Sequence, residues 1–211
     1  VGLKAFKEKG VVKLRKRKVE ESYPRVFHTG RIPVYFEHFP QAGREVKEVT
    51  DRLGIPWDVS DYKPLVDWMP CPAYEVQDSK ALYLINTKVP FYAHTISAEN
   101  PLLNAIGDRH PTMFYVQMHP ETARRLGIRE GQPVWLESTE GRREKAVITL
   151  SEAVHPEVLA TPGVVGRKIT GDPRIRGKGT HYNALLAFDA EKMDYLSAAV
   201  DACVRVRVIP R

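Results

Sequence analysis

The stretch "NTKVPFYAHT" (86–95) gathers groups that could hold an anionic ligand: hydroxyls at Thr87 and Thr95, a cation at Lys88 and an imidazole at His94. A loop leaving a strand end also presents backbone N–H groups, and together these suit pyrophosphate or ring oxygens. On residue types alone, a simple surface loop with one hydrogen-bonded histidine is the better reading. A second polar stretch, "GRKITGDPRIRGKGTHYN" (166–183), carries Arg167, Lys168, Arg174, Arg176 and Lys178 among its glycines and ends on Asn183. Such a run is more often a solvated, mobile loop, and glycine spacing by itself is a weak signal. His28, His38, His110, His119 and His155 show no ligand-like spacing. Cys71 and Cys203 make neither a disulfide framework nor a metal quartet. No nucleophile elbow supports a hydrolase.

These residues sit in a chain of 211 residues, 43% of them hydrophobic, enough for one or two domains with a proper core. No apolar run reaches membrane-spanning length, and the first residues carry charge throughout, so no cleavable signal peptide is visible. The formal charge of +6 is local. Residues 1–20 hold eight Lys/Arg against Glu8 and Glu20, which accounts for all of it and leaves the body neutral. A nucleic-acid groove would spread cations over a folded face among aromatics. A terminal basic tract reads instead as a solvated or partner-facing arm, and neither nucleic acid nor direct membrane insertion is expected.

Two regions follow. Residues 1–80 read as an irregular, Pro-rich extension and connector. They hold short helices at 2–10 and 41–55, stopped by Gly10 and Gly54, a hairpin at 25–36 turning at Thr29-Gly30, and an ordered connector at 55–78 whose Trp57, Tyr62, Leu65, Val66 and Trp68 need packing partners. Residues 81–211 are dense in strand signals, at 81–86, 113–118, 133–138, 144–150, 157–162 and 203–210. The last alternates Val204, Val206 and Val208 with Arg205 and Arg207. Between the second and third lies a short helix: Pro120 and Glu121 suit its first turn, and Gly127 its end. Many short strands with few helices predict a mainly β (α+β) chain closing into a barrel.

The stretch "HPETARRLGIREGQPVWLESTEGRREKAVITLSEAVHPEVLATP" (119–162) resembles the C-terminal dinucleotide-binding domain of the molybdopterin oxidoreductases, the family of dimethyl sulfoxide reductase, formate dehydrogenase and periplasmic nitrate reductase. Gly131-Gln132 stands where Gly-Asp is usual, and His155-Pro156-Glu157 where Pro-Gly is usual. "FKEKGVV" (6–12), "TGRIPVYFEHF" (29–39) and "HYNALLAFDAEKMDYLSAAVDACVRVRV" (181–208) extend the match over nearly the whole chain. The resemblance implies a double-psi β-barrel at 81–211 that binds molybdopterin guanine dinucleotide. Its contacts would be Asn86, Thr87, Lys88, Tyr92, Ala93, His94, Thr95 and Asn183, with no catalytic residue and no metal ligand in this chain. Lys88 stands where the family often has Arg, and Thr87 where Gly is usual. The cofactor would be the bis form, with its molybdenum or tungsten and an iron–sulfur cluster held by a larger catalytic chain, leaving this one inactive alone. "HTISAENPLLNAI" (94–106) is similar to the thiosulfate, polysulfide, tetrathionate and arsenate reductase subgroup, which implies sulfur or arsenic oxyanion chemistry. The alternative is a non-catalytic interaction barrel with a basic partner-binding arm.

Overall fold

Alternating apolar residues in six strands give each one a buried face, and those faces are covered by curling the sheet onto itself. In the computed structural model, which describes residues 3–12, 18, 34–65, 67–71, 75–187, 193–197, 199–200 and 202–211, the strands are β1 (Leu82–Thr87), β2 (Val116–Met118), β3 (Pro133–Ser138), β4 (Arg143–Leu150), β5 (Val158–Pro162) and β8 (Val204–Pro210). They close in the order β1-β5-β2-β4-β3-β8. A small hairpin, β6 (Met193–Asp194) with β7 (Ala199–Val200), lies outside this barrel.

Two pairings, β1 with β5 and β2 with β4, are parallel; the other four are antiparallel. Exchanging β1, β2, β3 for β4, β5, β8 swaps the two parallel pairings, swaps β1–β8 with β4–β3 and leaves β2–β5 and β3–β8 in place, so the connectivity carries an internal two-fold. This agrees with the closed barrel and the mainly β class expected from the sequence. The second strand is shorter than the sequence predicts: Met113 and Phe114 leave the ladder and join a separate apolar cluster instead.

Inside the barrel, Leu84, Val116, Met118, Val134, Leu136, Ile148, Leu159 and Val206 are fully buried. In β8 the alternation works as expected, with Val204 and Val206 inward and the arginines outward. Arg205 lies 5.0 Å over the Tyr83 ring and donates to the carbonyls of Val76, Asp78 (2.8 Å) and Ala81 (2.7 Å). Arg207 Nε donates to Asp78 Oδ2 at 2.7 Å. The outer face of one strand thus fastens the end of the connector.

The barrel has two distinct ends. One is closed by the short helix α4 (Pro120–Leu126), which follows α3 (Pro101–Gly107) in the chain and whose Ala123 and Leu126, with Ile128, join the main core. His119 caps this helix by accepting the Glu121 N–H at 3.2 Å, and Gly127, at φ 68°, ends it. Strands β1 and β5 run toward the opposite end. This mouth is overlain by the segment 163–186, of which Tyr182, Leu185 and Leu186 belong to the main core.

Before the barrel come α1 (Leu3–Lys9), α2 (His38–Leu53, starting three residues earlier than expected) and the connector. Gly10 and Gly54 end these helices at positive φ. The expected hairpin turn, residues 25–33, lies outside the described residues. Trp57 packs edge-on against Tyr195 at 5.0 Å, and Tyr62 donates to the Tyr195 carbonyl at 3.1 Å. Trp68 and Leu65 find no such cover: Trp68 is 81% exposed. Val66 lies outside the described residues.

Candidate functional site

The same inward alternation that fills the barrel changes chemistry at the mouth. Continuing inward from Leu84, Leu136, Ala146 and Leu159 gives Asn86, Ser138, Glu144 and Thr161, a polar layer above an apolar one. Asn86 and Thr161 are register partners in the parallel β1–β5 pair. Ser138, Glu144 and Thr161 are buried, whereas Asn86 is exposed. The Glu144 carboxylate is paired with the Lys168 ammonium, which itself reaches solvent. A buried carboxylate needs such a partner, because desolvating it alone would cost several kcal/mol. Ser138 Oγ accepts the Arg142 N–H at 3.2 Å.

Strand β1 runs to Thr87, so Asn86 and Thr87 are strand residues and not the start of a loop. The loop proper, 88–95, is set by what lies beneath it. Val89, Phe91 and Tyr92 pack with Ala98, Met113, Val164 and Val165 in the second cluster. Tyr92 is turned into that cluster, and its hydroxyl donates to Asn104 Oδ1 at 2.6 Å while Asn104 Nδ2 donates to the Ala98 carbonyl at 3.0 Å. Burial, aided by the charge of Asp108, holds the Tyr92 phenol above its ordinary range. Tyr92 therefore anchors the loop with its hydroxyl already engaged. The Ala93 N–H is likewise donated to Ser97 Oγ at 2.8 Å. Lys88, His94 and Thr95 are exposed. Among the described residues, only His94 of the non-glycines adopts positive φ, at 52°. Backbone strain of this kind gathers at ligand-binding positions.

Asn183 is exposed on a short 3-10 turn (Tyr182–Ala184) about ninety residues away. Its neighbour Tyr182 places its hydroxyl between the carbonyls of Leu84 (3.2 Å) and Ala202. Leu84 is two positions before Asn86, roughly 7 Å along the strand. Both stretches also border the segment 163–167. The Gly163 N–H donates to the Thr87 carbonyl at 3.2 Å. Gly166 lies so close to Thr180 and His181 that a Cβ there would sit 2.2 Å from the His181 nitrogen. The three pieces 86–95, 163–167 and 180–183 are therefore neighbours at one end of the barrel.

Three buried side-chain atoms of this region have no hydrogen-bond partner among the described residues: Thr161 Oγ1, His181 Nδ1 and Arg167 Nη1. Arg167 Nη1 is 3.0 Å from Glu99 Oε1, an ion pair without hydrogen-bond alignment. Native proteins satisfy nearly all such groups, so a cluster of them at a mouth flanked by exposed hydroxyl, amide, imidazole and ammonium groups fits an anionic, hydrogen-bond-rich ligand. Thr161 and His181 were not among the residues singled out in the sequence, and Arg167 was named there only as part of a run read as a solvated loop. Parity signals Thr161, a polar side chain at an inward position of a strand. No local pattern distinguishes His181.

The basic segment is less free than its composition suggests. Arg167 pairs with Glu99, Lys168 with Glu144, Arg174 with Asp172 and Lys178 with Asp108. The Gly177 N–H donates to the Arg167 carbonyl at 2.8 Å and pins its neck. Among the described residues no group of three or more His, Cys, Asp or Glu is placed to hold a metal ion. No described helix is long and apolar enough to cross a membrane.

Residues 82–196, which contain the mouth and both expected stretches, match the family model described as the molydopterin dinucleotide binding domain. The chain belongs to this family. Among solved structures, acetylene hydratase from Pelobacter acetylenicus is similar, with a TM-score of 0.54 and 19% identity over 77% of this chain and 22% of that one. At that identity the likeness concerns the fold, and the chain spans about a fifth of that protein's length. No curated protein matches the sequence. The chain thus carries a molybdopterin dinucleotide-binding domain of the molybdenum and tungsten oxidoreductase family.

Proposed function

We propose that the mouth formed by 86–95, 163–167 and 180–183 holds molybdopterin guanine dinucleotide, and that the metal ligand, an iron–sulfur cluster and the second dinucleotide of a bis form are supplied by a larger catalytic portion. The observation that carries this reading is the trio of buried polar atoms, Thr161 Oγ1, His181 Nδ1 and Arg167 Nη1, that make no hydrogen bond among the described residues. When bound, the cofactor supplies the redox-active metal. This chain's residues would supply position: amide groups of Asn86 and Asn183 to ring edges, and Lys88, His94, Thr95 and Thr161 to phosphate or pterin oxygens. Each neutral hydrogen bond would contribute about 0.5–1.5 kcal/mol net, so retention would rest on their number.

The stretch 94–106 supports assaying sulfur and arsenic oxyanions first. The exposed Trp68, Met69 and Leu65 of the connector, with the basic first twenty residues, support a covered interface with the catalytic portion. The test is metal and pterin analysis of the native complex that contains this chain. Stoichiometric pterin, reduced in Asn183→Ala with the barrel still folded, is the expected result. A native complex without pterin would leave the interaction-barrel reading in its place.

A further inference from the structure

A second recess lies on the outer wall of the barrel, with a cavity volume of about 360 Å3. Its walls come from Phe114 and Tyr115 ahead of β2, Pro133 of β3, Ala146 and Val147 of β4, and the turn Gly177–Gly179; Lys145, Lys178 and Arg211 project at it. None of Asn86, Lys88, His94, Thr95, Thr161, His181 or Asn183 takes part, so it is separate from the dinucleotide mouth.

The three cations differ. Lys178 is already paired with Asp108 and lies 5.3 Å from the Phe114 ring centre. Arg211 Cζ lies 5.0 Å over the Trp135 ring, and its guanidinium makes no ion pair with an Asp or Glu among the described residues. Lys145 reaches across Gly177, where a built Cβ would lie 3.6 Å from its ammonium, and has no acidic partner among the described residues. The Lys145 backbone is itself fixed, its carbonyl accepting from Thr180 Oγ1 at 3.0 Å. Lys145 and Arg211, without an Asp or Glu partner among the described residues, thus face a recess with an aromatic and aliphatic floor and no Asp or Glu in its lining. Small-ligand sites combine such an apolar floor with a few convergent polar groups at similar volume.

We propose that this recess binds a small organic anion with a flat apolar body, its charged group toward Lys145 and Arg211 and its body against Phe114 and Tyr115. Inorganic phosphate would satisfy the cations but leave the floor wet. A neutral aromatic would do the reverse, forgoing the charge-assisted hydrogen bonds that are the stronger part of such recognition. The reading is independent of the dinucleotide assignment.

Calorimetric titration of the full chain with 2-naphthoate, 2-naphthamide and inorganic phosphate at low salt tests it. Naphthoate should bind saturably at one site, with the amide and phosphate each weaker by at least about tenfold, the equivalent of about 1.4 kcal/mol. Lys145→Glu and Arg211→Glu should each weaken naphthoate binding by a similar factor, and Asn183→Ala should leave it unchanged. If charge reversal at Lys145 lowers the melting temperature, Lys145→Gln should still weaken binding several-fold. Absence of saturable binding, equal binding of the amide, or charge-altered variants that bind as the unaltered chain does would overturn the proposal.

Discussion

At one end of the barrel, helix α4 adds Ala123 and Leu126 to the apolar core that includes Met118 and Ile148. At the other, the same parity carries Asn86, Ser138, Glu144 and Thr161, and three buried polar atoms of the region make no hydrogen bond among the described residues. A chain optimised for stability alone would have filled the second end like the first, since an unsatisfied buried hydroxyl costs about 1–3 kcal/mol. The difference separates a supporting end from a binding end, and substitutions at the two should fail in different ways.

The largest effect is expected beneath the mouth, where stability dominates. Leu136→Ala removes a fully buried side chain from the main core and should cost about 3 kcal/mol in urea unfolding, within the range of such truncations. A loss below about 1 kcal/mol would show that the barrel interior is not close-packed. Next is Gly166→Ala. Its φ of 77° and the 2.2 Å approach of His181 leave no room for a Cβ against backbone. A loss of about 2 kcal/mol or more, together with lower pterin retention, would show that the support of 163–167 and the ligand site are one structure. Retention unchanged after a measured loss of stability would separate them.

A smaller effect sharpens the contrast outside both ends. Asp78 is held below the ordinary carboxylate range by the Arg207 guanidinium first and the Lys80 N–H second. A depressed carboxyl pKa contributes stability above the unfolded-state value, and this is lost as pH falls through the folded one. Asp78→Asn should therefore lower the melting temperature slightly at neutral pH, with the difference vanishing in the acid range. A difference that persists at low pH would mean the Arg207 pair is not its origin.

Much of the barrel was legible because its evidence is local. Strands with strict alternation, such as 204–210, and helix ends marked by proline and glycine, as at 120–127, follow from a few adjacent residues. What was not legible depended on distance along the chain. Met113 left the second strand because Tyr92 and Val165, each about twenty to fifty residues away, offered a better apolar surface. The basic run 166–178 looked solvated until carboxylates from Glu99, Asp108 and Glu144 were placed beside it. His181 gained interest only from burial without a partner.

The central claim is that the mouth is polar for a ligand and not for folding, and Thr161→Val tests it most directly. The substitution keeps the shape and removes the unpartnered hydroxyl. Unfolding stability and pterin content should be measured on the same variant of the native complex and chain. The account predicts that the chain is as stable as before, or more so by about 1 kcal/mol, while pterin retention falls. A variant that loses stability but keeps its pterin would contradict it.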